Sequence, residues 1–279
     1  MSDGSKFGYC LNTSTIRACE LGAEDEIKAA ADAGYDGVEL WVRELDTYTE
    51  GGGSLADLKG LLDDRGVAVP NLIAFFEWAV PDEEARREEL EDARRVFRMA
   101  ADLGCPGVAA PPTGIGDMAD MPLEEIAERY SELAAIGRDF GVAPILEFWG
   151  HAQKLGTLDE AVQVLRMADV EGGCLLADIF HMAKGGSDFA QLAELRAGEL
   201  GLFHVNDYLG EPPVSEQSDS QRVWPGDGVA PFKQIVSALD GIGYSGMMSL
   251  ELFNDSYAEQ GAESCLETGL RKMRGALRP

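Results

Sequence analysis

The sequence predicts an α/β fold, a single (β/α)8 barrel over residues 1–279, and three observations lead there. Short apolar, β-branched or aromatic runs alternate with longer stretches of helical periodicity from one end of the chain to the other, which is the pattern of repeated βα units. Several helical stretches close on a recurring phrase, "AGYDGVEL", "LGCPGVAA", "FGVAPILEF" and "IGYSGMMSLEL", where a glycine stops the helix and a short turn enters the next strand. No linker or low-complexity tract interrupts the series, and a chain of 279 residues is a size that one such barrel reaches without splitting. A doubly wound open sheet is the competing architecture, but no GxGxxG follows the first strand to support it.

In order, the strands are expected in "KFGYCLN" (6–12), "GVELWV" (37–42), "VAVPNLIAF" (67–75) and "GVAAPP" (107–112), then in "APILEFW" (143–149), "GCLLADIF" (173–180), "LGLFHVND" (200–207) and "GMMSLELF" (246–253). Between them "AEDEIKAAADAG", "DEEARREELEDARRVFRMAADLG" and "LEEIAERYSELAAIGRDFG" carry apolar residues at helical spacing and end at or near glycine.

Composition narrows the function classes. No apolar run approaches the roughly 18 residues of a membrane helix, and the start "MSDGSKFGY" lacks the apolar stretch of a signal peptide, so a cytoplasmic protein with no membrane partner is expected. Five cysteines, odd in number and without a CxxC pair, point to buried thiols rather than a disulfide framework or a thiolate zinc site. A net charge of −27 repels phosphate backbones and argues against a nucleic-acid partner. The scarcity of lysine (7 Lys against 16 Arg) beside abundant Asp and Glu is a balance that suits a salt-adapted surface.

The active site of such a barrel lies where its strands end. Strands five to eight each deliver a candidate ligand there: Glu147 in "ILEFW", Asp178 in "LLADIF", His204 in "LFHVND" and Glu251 in "SLELF". Three carboxylates and one imidazole form a mostly oxygen donor set that suits Mn²⁺ or Mg²⁺, with Co²⁺ or Zn²⁺ also compatible. Burying the carboxylates together without a cation would cost several kcal/mol per ion, so one divalent metal per chain is the expected cofactor.

With these residues in view, the chain resembles the xylose-isomerase-like TIM-barrel superfamily, in particular its ketose 3-epimerase and hydroxypyruvate isomerase branch. The phrases "LEFW", "ADIFHMAKGG", "FHVND", "RVWPGDGVAPF" and "LELF" carry the resemblance, which covers nearly the whole chain. It implies that Glu147, Asp178, His204 and Glu251 bind the metal. His181, in the family's Asp-x-x-His, and Arg222, in "QRVWPGDG", are implied to contact substrate. One departure is Gln153, where ketose 3-epimerases carry a second glutamate; His151 is expected to occupy that space. Glu39 and Trp41 on strand two, Phe76, Glu77 and Trp78 after strand three, and Asn12 and Asn206 are further candidates for the pocket lining. Gly226-Asp227-Gly228 reads as a tight turn into the next helix.

A metal that chelates adjacent oxygens of an α-hydroxy ketone stabilises an enediolate, and Glu147 and Glu251 can then serve as acid and base. That reading is an isomerase or epimerase acting on a sugar or polyol-derived ketone; loss of a β-hydroxyl from the same intermediate would make a dehydratase of the inosose or dehydroshikimate type. A phosphodiesterase of the abasic-site endonuclease kind is disfavoured by the supply of only three histidines and by the charge. A non-catalytic barrel is disfavoured by the intact ligand set. The acidic loop 210–220 offers no phosphate cradle. The oligomeric state is left open, a homo-oligomer included.

Overall fold

The computed structural model describes residues 6–278, in which eight parallel strands close into a barrel in chain order. The first five residues of the start "MSDGSKFGY" lie outside the described residues. The strands are β1 (Gly8–Asn12), β2 (Gly37–Trp41), β3 (Leu72–Ile73), β4 (Gly107–Ala110), β5 (Ala143–Glu147), β6 (Cys174–Asp178), β7 (Leu200–Val205) and β8 (Met247–Leu250). Around them run α1 (Ala23–Ala33), α2 (Val42–Glu50), α3 (Leu55–Arg65), α4 (Glu83–Leu103), α5 (Leu123–Arg138), α6 (Leu158–Ala168), α7 (Ile179–Lys184), α8 (Phe232–Gly241) and α9 (Ala262–Ala276). Among the described residues no helix is long and apolar enough to cross a membrane.

The expected barrel is therefore present, with one strand much shorter than expected. Of residues 67–75 only Leu72–Ile73 form a strand, while Ala68 makes an isolated bridge to Gly37. Pro70 separates the two pieces, and its ring nitrogen has no N–H to continue the ladder. The helix starts and stops follow local chemistry. Asp82 caps α4 by accepting the N–H of Ala85 at 2.8 Å, and Gly104 ends that helix at φ +70°, a conformation costly for residues with a Cβ.

Strand alternation sorts every second side chain to the barrel interior. Trp41, Ile73, Ala109, Ile145, Leu176 and Leu202 form one buried inner cluster. The intervening residues, among them Val38, Leu40, Leu72, Val108, Leu146, Leu175, Phe203 and Leu250, pack outward into the main core under the helices. Each large aliphatic side chain so buried contributes roughly 1.5–3 kcal/mol. Counting two residues on from inner Ile145, Leu176 and Leu202 gives Glu147, Asp178 and His204, so the alternation that fills the barrel also aims these three at its mouth.

Candidate active site

Asp178 ends β6 and caps α7: its Oδ1 accepts the backbone N–H of His181 at 2.8 Å, which is why an aspartate stands three residues before this histidine. Its Oδ2 is left facing inward, where Asn206 Nδ2 donates to it at 2.7 Å. His204 is the register partner of Asp178 across β6 and β7, and Ser249 is the partner of His204 across β7 and β8. Glu251, two residues beyond Ser249 and just past the end of β8, completes the group. One ligand atom each from Asp178, His204 and Glu251 lie within 4.8 Å of one another, and all three residues are buried. Glu147 ends β5 on the wall of the same cavity, where its Oε1 accepts from Trp149 Nε1 at 3.2 Å.

Arg222 binds the cluster from the loop after β7. Its Nη1 donates to Asp178 Oδ2 at 2.9 Å and to Glu251 Oε2 at 2.7 Å. Its Nε and Nη2 donate to Asp219 Oδ1 at 3.0 and 2.6 Å, and Nη2 also faces His181 Nε2 at 3.3 Å. A guanidinium has five N–H donors, so all are engaged within the protein. Because arginine only donates, His181 Nε2 is the acceptor and the ring proton belongs on Nδ1, which has no hydrogen-bond partner among the described residues.

The electrostatics separate the acidic groups. Burial pushes Glu147 up to about 8, with the His204 charge working against it and those of Glu251 and Asp178 adding to it. Burial also raises Asp178, held back by Arg222. Glu251 is held below the usual carboxylate range although burial works the other way, because the charges of His204 and Arg222 outweigh it. Burial opposes charge on His204, yet Glu251 and Glu39 lift it well above the ordinary imidazole value. Burial and the Arg222 cation push His181 down to about 3, so its ring is neutral at pH 7.

The donor set fits a divalent cation. His204 Nε2 lies 3.0 Å from Glu39, while Nδ1 faces the trio, 3.1 Å from Glu251 Oε2 and 3.8 Å from Asp178 Oδ2. The 3.1 Å approach lacks hydrogen-bond geometry, and Nδ1 is a buried nitrogen without a hydrogen-bond partner among the described residues. A buried imidazole nitrogen among carboxylate oxygens is the arrangement that a cation would satisfy.

Above the trio lies a cavity of about 380 Å³, within the range of small-molecule sites. Its polar side is Glu147, His151, His181, Asp219, Arg222 and Glu251; its apolar side is Trp41, Ile73, Phe75, Trp149 and Phe253. His151 stacks on Trp149 at 5.4 Å between ring centroids and stands 5.9 Å from His181. The structure thus brings Glu147, His151, His181, Arg222, Glu251 and Trp41 to one cavity, and other expected residues lie elsewhere. Glu39 is enclosed in the layer below, behind His204, rather than on the pocket wall. Phe76 and Trp78 do not line the pocket: Phe76 packs on Phe97, and Trp78 donates its Nε1–H to the Pro111 carbonyl under α5. The backbone after Ile73 turns Phe75 inward instead, and Glu77 is an exposed residue whose N–H binds Glu89. Asn12 and Asn206 stand behind the site, Asn12 donating to Glu251 Oε1 at 3.0 Å.

Sequence reasoning missed Phe75, Trp149, Phe253 and Asp219. The Asp219–Arg222 spacing of three, inside a loop already noted as acidic, was the one readable signal for the last. Gly226 and Gly228 form the expected turn, and its N–H groups donate to Asp207 Oδ2 at 3.0 and 2.9 Å.

Known proteins similar to this chain cover most of its length. The inosose isomerase of Bacillus velezensis is 27% identical over 264 residues, 93% of each chain. The 3-dehydroshikimate dehydratase of Pseudomonas aeruginosa is 28% identical over 256 residues, which are 89% of this chain and 39% of that one. The crystal structure of a zinc-bound IolI protein superposes with a TM-score of 0.88 at 25% identity, covering 97% of this chain and 98% of the other. The family model for xylose isomerase-like TIM barrels matches residues 27–275, and the chain belongs to that family.

Proposed function

We propose that this chain is a divalent-metal-dependent isomerase or epimerase of an uncharged polyhydroxy ketone, of the inosose or ketose kind, acting through an enediolate. The observation that carries the reading is that two buried carboxylates, Glu147 and Glu251, face one cavity above the Asp178, His204 and Glu251 trio. Glu147, Asp178, His204 and Glu251 would hold the ion, with Mn²⁺ or Mg²⁺ favoured by the oxygen content and Zn²⁺ or Co²⁺ also suited; when bound it stabilises negative charge on substrate oxygens and keeps the carboxylates ionised.

The remaining work falls to side chains. Glu147 and Glu251 come from strands separated by two others around the barrel, so they can address the reacting carbon from different sides. One removes the proton beside the carbonyl. Return of a proton to the opposite face gives epimerisation, and return to the neighbouring carbon gives isomerisation. His181 donates from Nδ1–H to a substrate oxygen without changing charge. Trp41, Phe75, Trp149 and Phe253 cover C–H faces of the substrate and exclude water. The substrate is uncharged in this reading because Arg222, the cation on the cavity wall, is already fully engaged and leaves no free fork for a carboxylate or phosphate.

Loss of a β-hydroxyl from the same enediolate is the second reading. It rests on His151, which stands on the cavity wall where an acid for a leaving oxygen is needed. Both readings are tested by a screen of ketoses, aldoses and keto-inositols with added divalent metal in deuterated water. Deuterium at the carbon beside the carbonyl is expected, and release of water distinguishes the dehydratase. Turnover with no solvent deuterium in the product would point to a hydride shift or direct transfer and count against the acid and base roles given to the two glutamates.

A further inference from the structure

Glu39 lies on the inner face of β2, two residues before Trp41, and is fully enclosed. A carboxylate at that depth needs donors on all sides. Asn71 Nδ2 donates to its Oε1 at 2.8 Å, Ser249 Oγ donates to its Oε2, and Asn12 Nδ2 stands at 3.5 Å. The remaining neighbour is the ring of His204, whose Nε2 lies 3.0 Å from Oε2 and 3.2 Å from Oε1. With donors already aimed at this carboxylate, it meets the ring as an acceptor, so Nε2 donates. In a neutral imidazole the other nitrogen is then the acceptor. That nitrogen, Nδ1, is the buried atom without a hydrogen-bond partner that faces Asp178 and Glu251.

We propose that Glu39 is a positioning residue that fixes the tautomer and ring angle of His204, so that the Nδ1 lone pair is presented to a divalent cation. It touches neither substrate nor ion. Donors from three strands or their entries, Asn71 before β3, Ser249 on β8 and Asn12 on β1, hold the carboxylate in place before any cation arrives. The inference rests on the metal reading given above.

The test compares wild type and Glu39→Gln by chelator competition with Zn²⁺ and Co²⁺. In parallel, the Zn²⁺-loaded wild type, isotope-labelled at histidine, is read by long-range proton–nitrogen NMR. Glutamine keeps the size but turns an NH₂ toward groups that themselves donate. The expected results are a proton on His204 Nε2 with none on Nδ1, and a loss of about 10- to 100-fold in metal affinity in a variant with a native circular dichroism spectrum. Unchanged affinity in the variant, or a His204 without a proton on Nε2, overturns the role of Glu39 while leaving the metal site standing. If Glu39→Gln does not fold, the wild-type tautomer alone decides. A wild type that binds neither ion overturns the metal reading, and the Glu39 inference with it.

Discussion

Arg222 donates from Nη1 to Glu251 Oε2 at 2.7 Å, and the same nitrogen reaches Asp178 Oδ2 at 2.9 Å. One guanidinium thus ties the ends of β6 and β8 together. Lysine concentrates its donors on one atom and cannot span Asp178, Glu251, Asp219 and His181 at once. Arg222→Lys is expected to lower turnover by at least about 10-fold. Arg222→Met, which leaves buried carboxylates unpaired, is expected to cost about 3–5 kcal/mol in urea denaturation. A Met variant as stable as wild type would show that the buried pairs contribute nothing.

Glu147→Gln and Glu251→Gln should each abolish turnover in a protein that still folds, Glu251→Gln at some cost in stability because it removes a charge paired with buried Arg222. Loss of a proton carrier alone accounts for about 10² to 10⁴ in rate. Near-normal activity in either variant would move the base elsewhere, with His151 on the cavity wall as the first residue to test.

Metal affinity should rise with pH. Glu147, pushed up to about 8, and His204, raised well above its ordinary value, both carry protons at pH 7 that ligation must expel. Calorimetric titration in buffers of different ionisation enthalpy is expected to show net proton release at pH 7. Affinity that is flat from pH 6 to 8 would contradict it.

Glu26, on α1, is buried beside Glu44 and Arg17, and its Oε2 has no hydrogen-bond partner among the described residues. Burial, then the Glu44 charge, raises it to about 8, with Arg17 working against them. A carboxyl raised in the folded state binds more protons there than when unfolded, so its ionisation costs nothing below its unfolded value of about 4.5 and destabilises progressively up to about pH 8. Glu26→Gln should therefore be more stable than wild type at pH 8 by about 2–4 kcal/mol and indistinguishable near pH 4. Equal pH dependence in the two proteins would refute the assignment.

Gly150 lets the loop after β5 lie against α7. A Cβ there would stand 2.3 Å from the His181 carbonyl oxygen and 2.6 Å from Gly185 N, both backbone atoms that yield only if the loop moves. Gly150→Ala is expected to cost about 1–3 kcal/mol and, by displacing Trp149 and His151, to raise KM more than it lowers kcat. Denaturation and steady-state kinetics check the two parts separately.

Much of this was legible from the chain. The strands β2, β4, β5, β6, β7 and β8 fall within their expected runs because a parallel strand covered on both faces reads as continuous apolar sequence. The third run misled because 67–75 is apolar except for Asn71, and the break at Pro70 takes effect through a backbone donor that apolarity does not register. Glu147, Asp178, His204 and Glu251 were readable as strand-end groups because a charge that interrupts an apolar run marks where the strand leaves the core.

The sequence by itself determined which face of each strand a side chain takes, since a period of two follows from the backbone alone. It placed Glu39 inward, as the structure does, but period has no measure of height along the barrel axis. Only the staggered closure of the strands decided that Trp41 reaches the cavity while Glu39 lies a layer below, against His204 and Ser249. Tertiary structure likewise chose Phe75 over Phe76 for the cavity, because chain direction beyond the short β3 is set by packing against α4 rather than by strand alternation. It also engaged every donor of Arg222: Asp219 is three residues away in the same loop, but Asp178, His181 and Glu251 are 44, 41 and 29 residues away, and only the closed barrel brings them around one guanidinium.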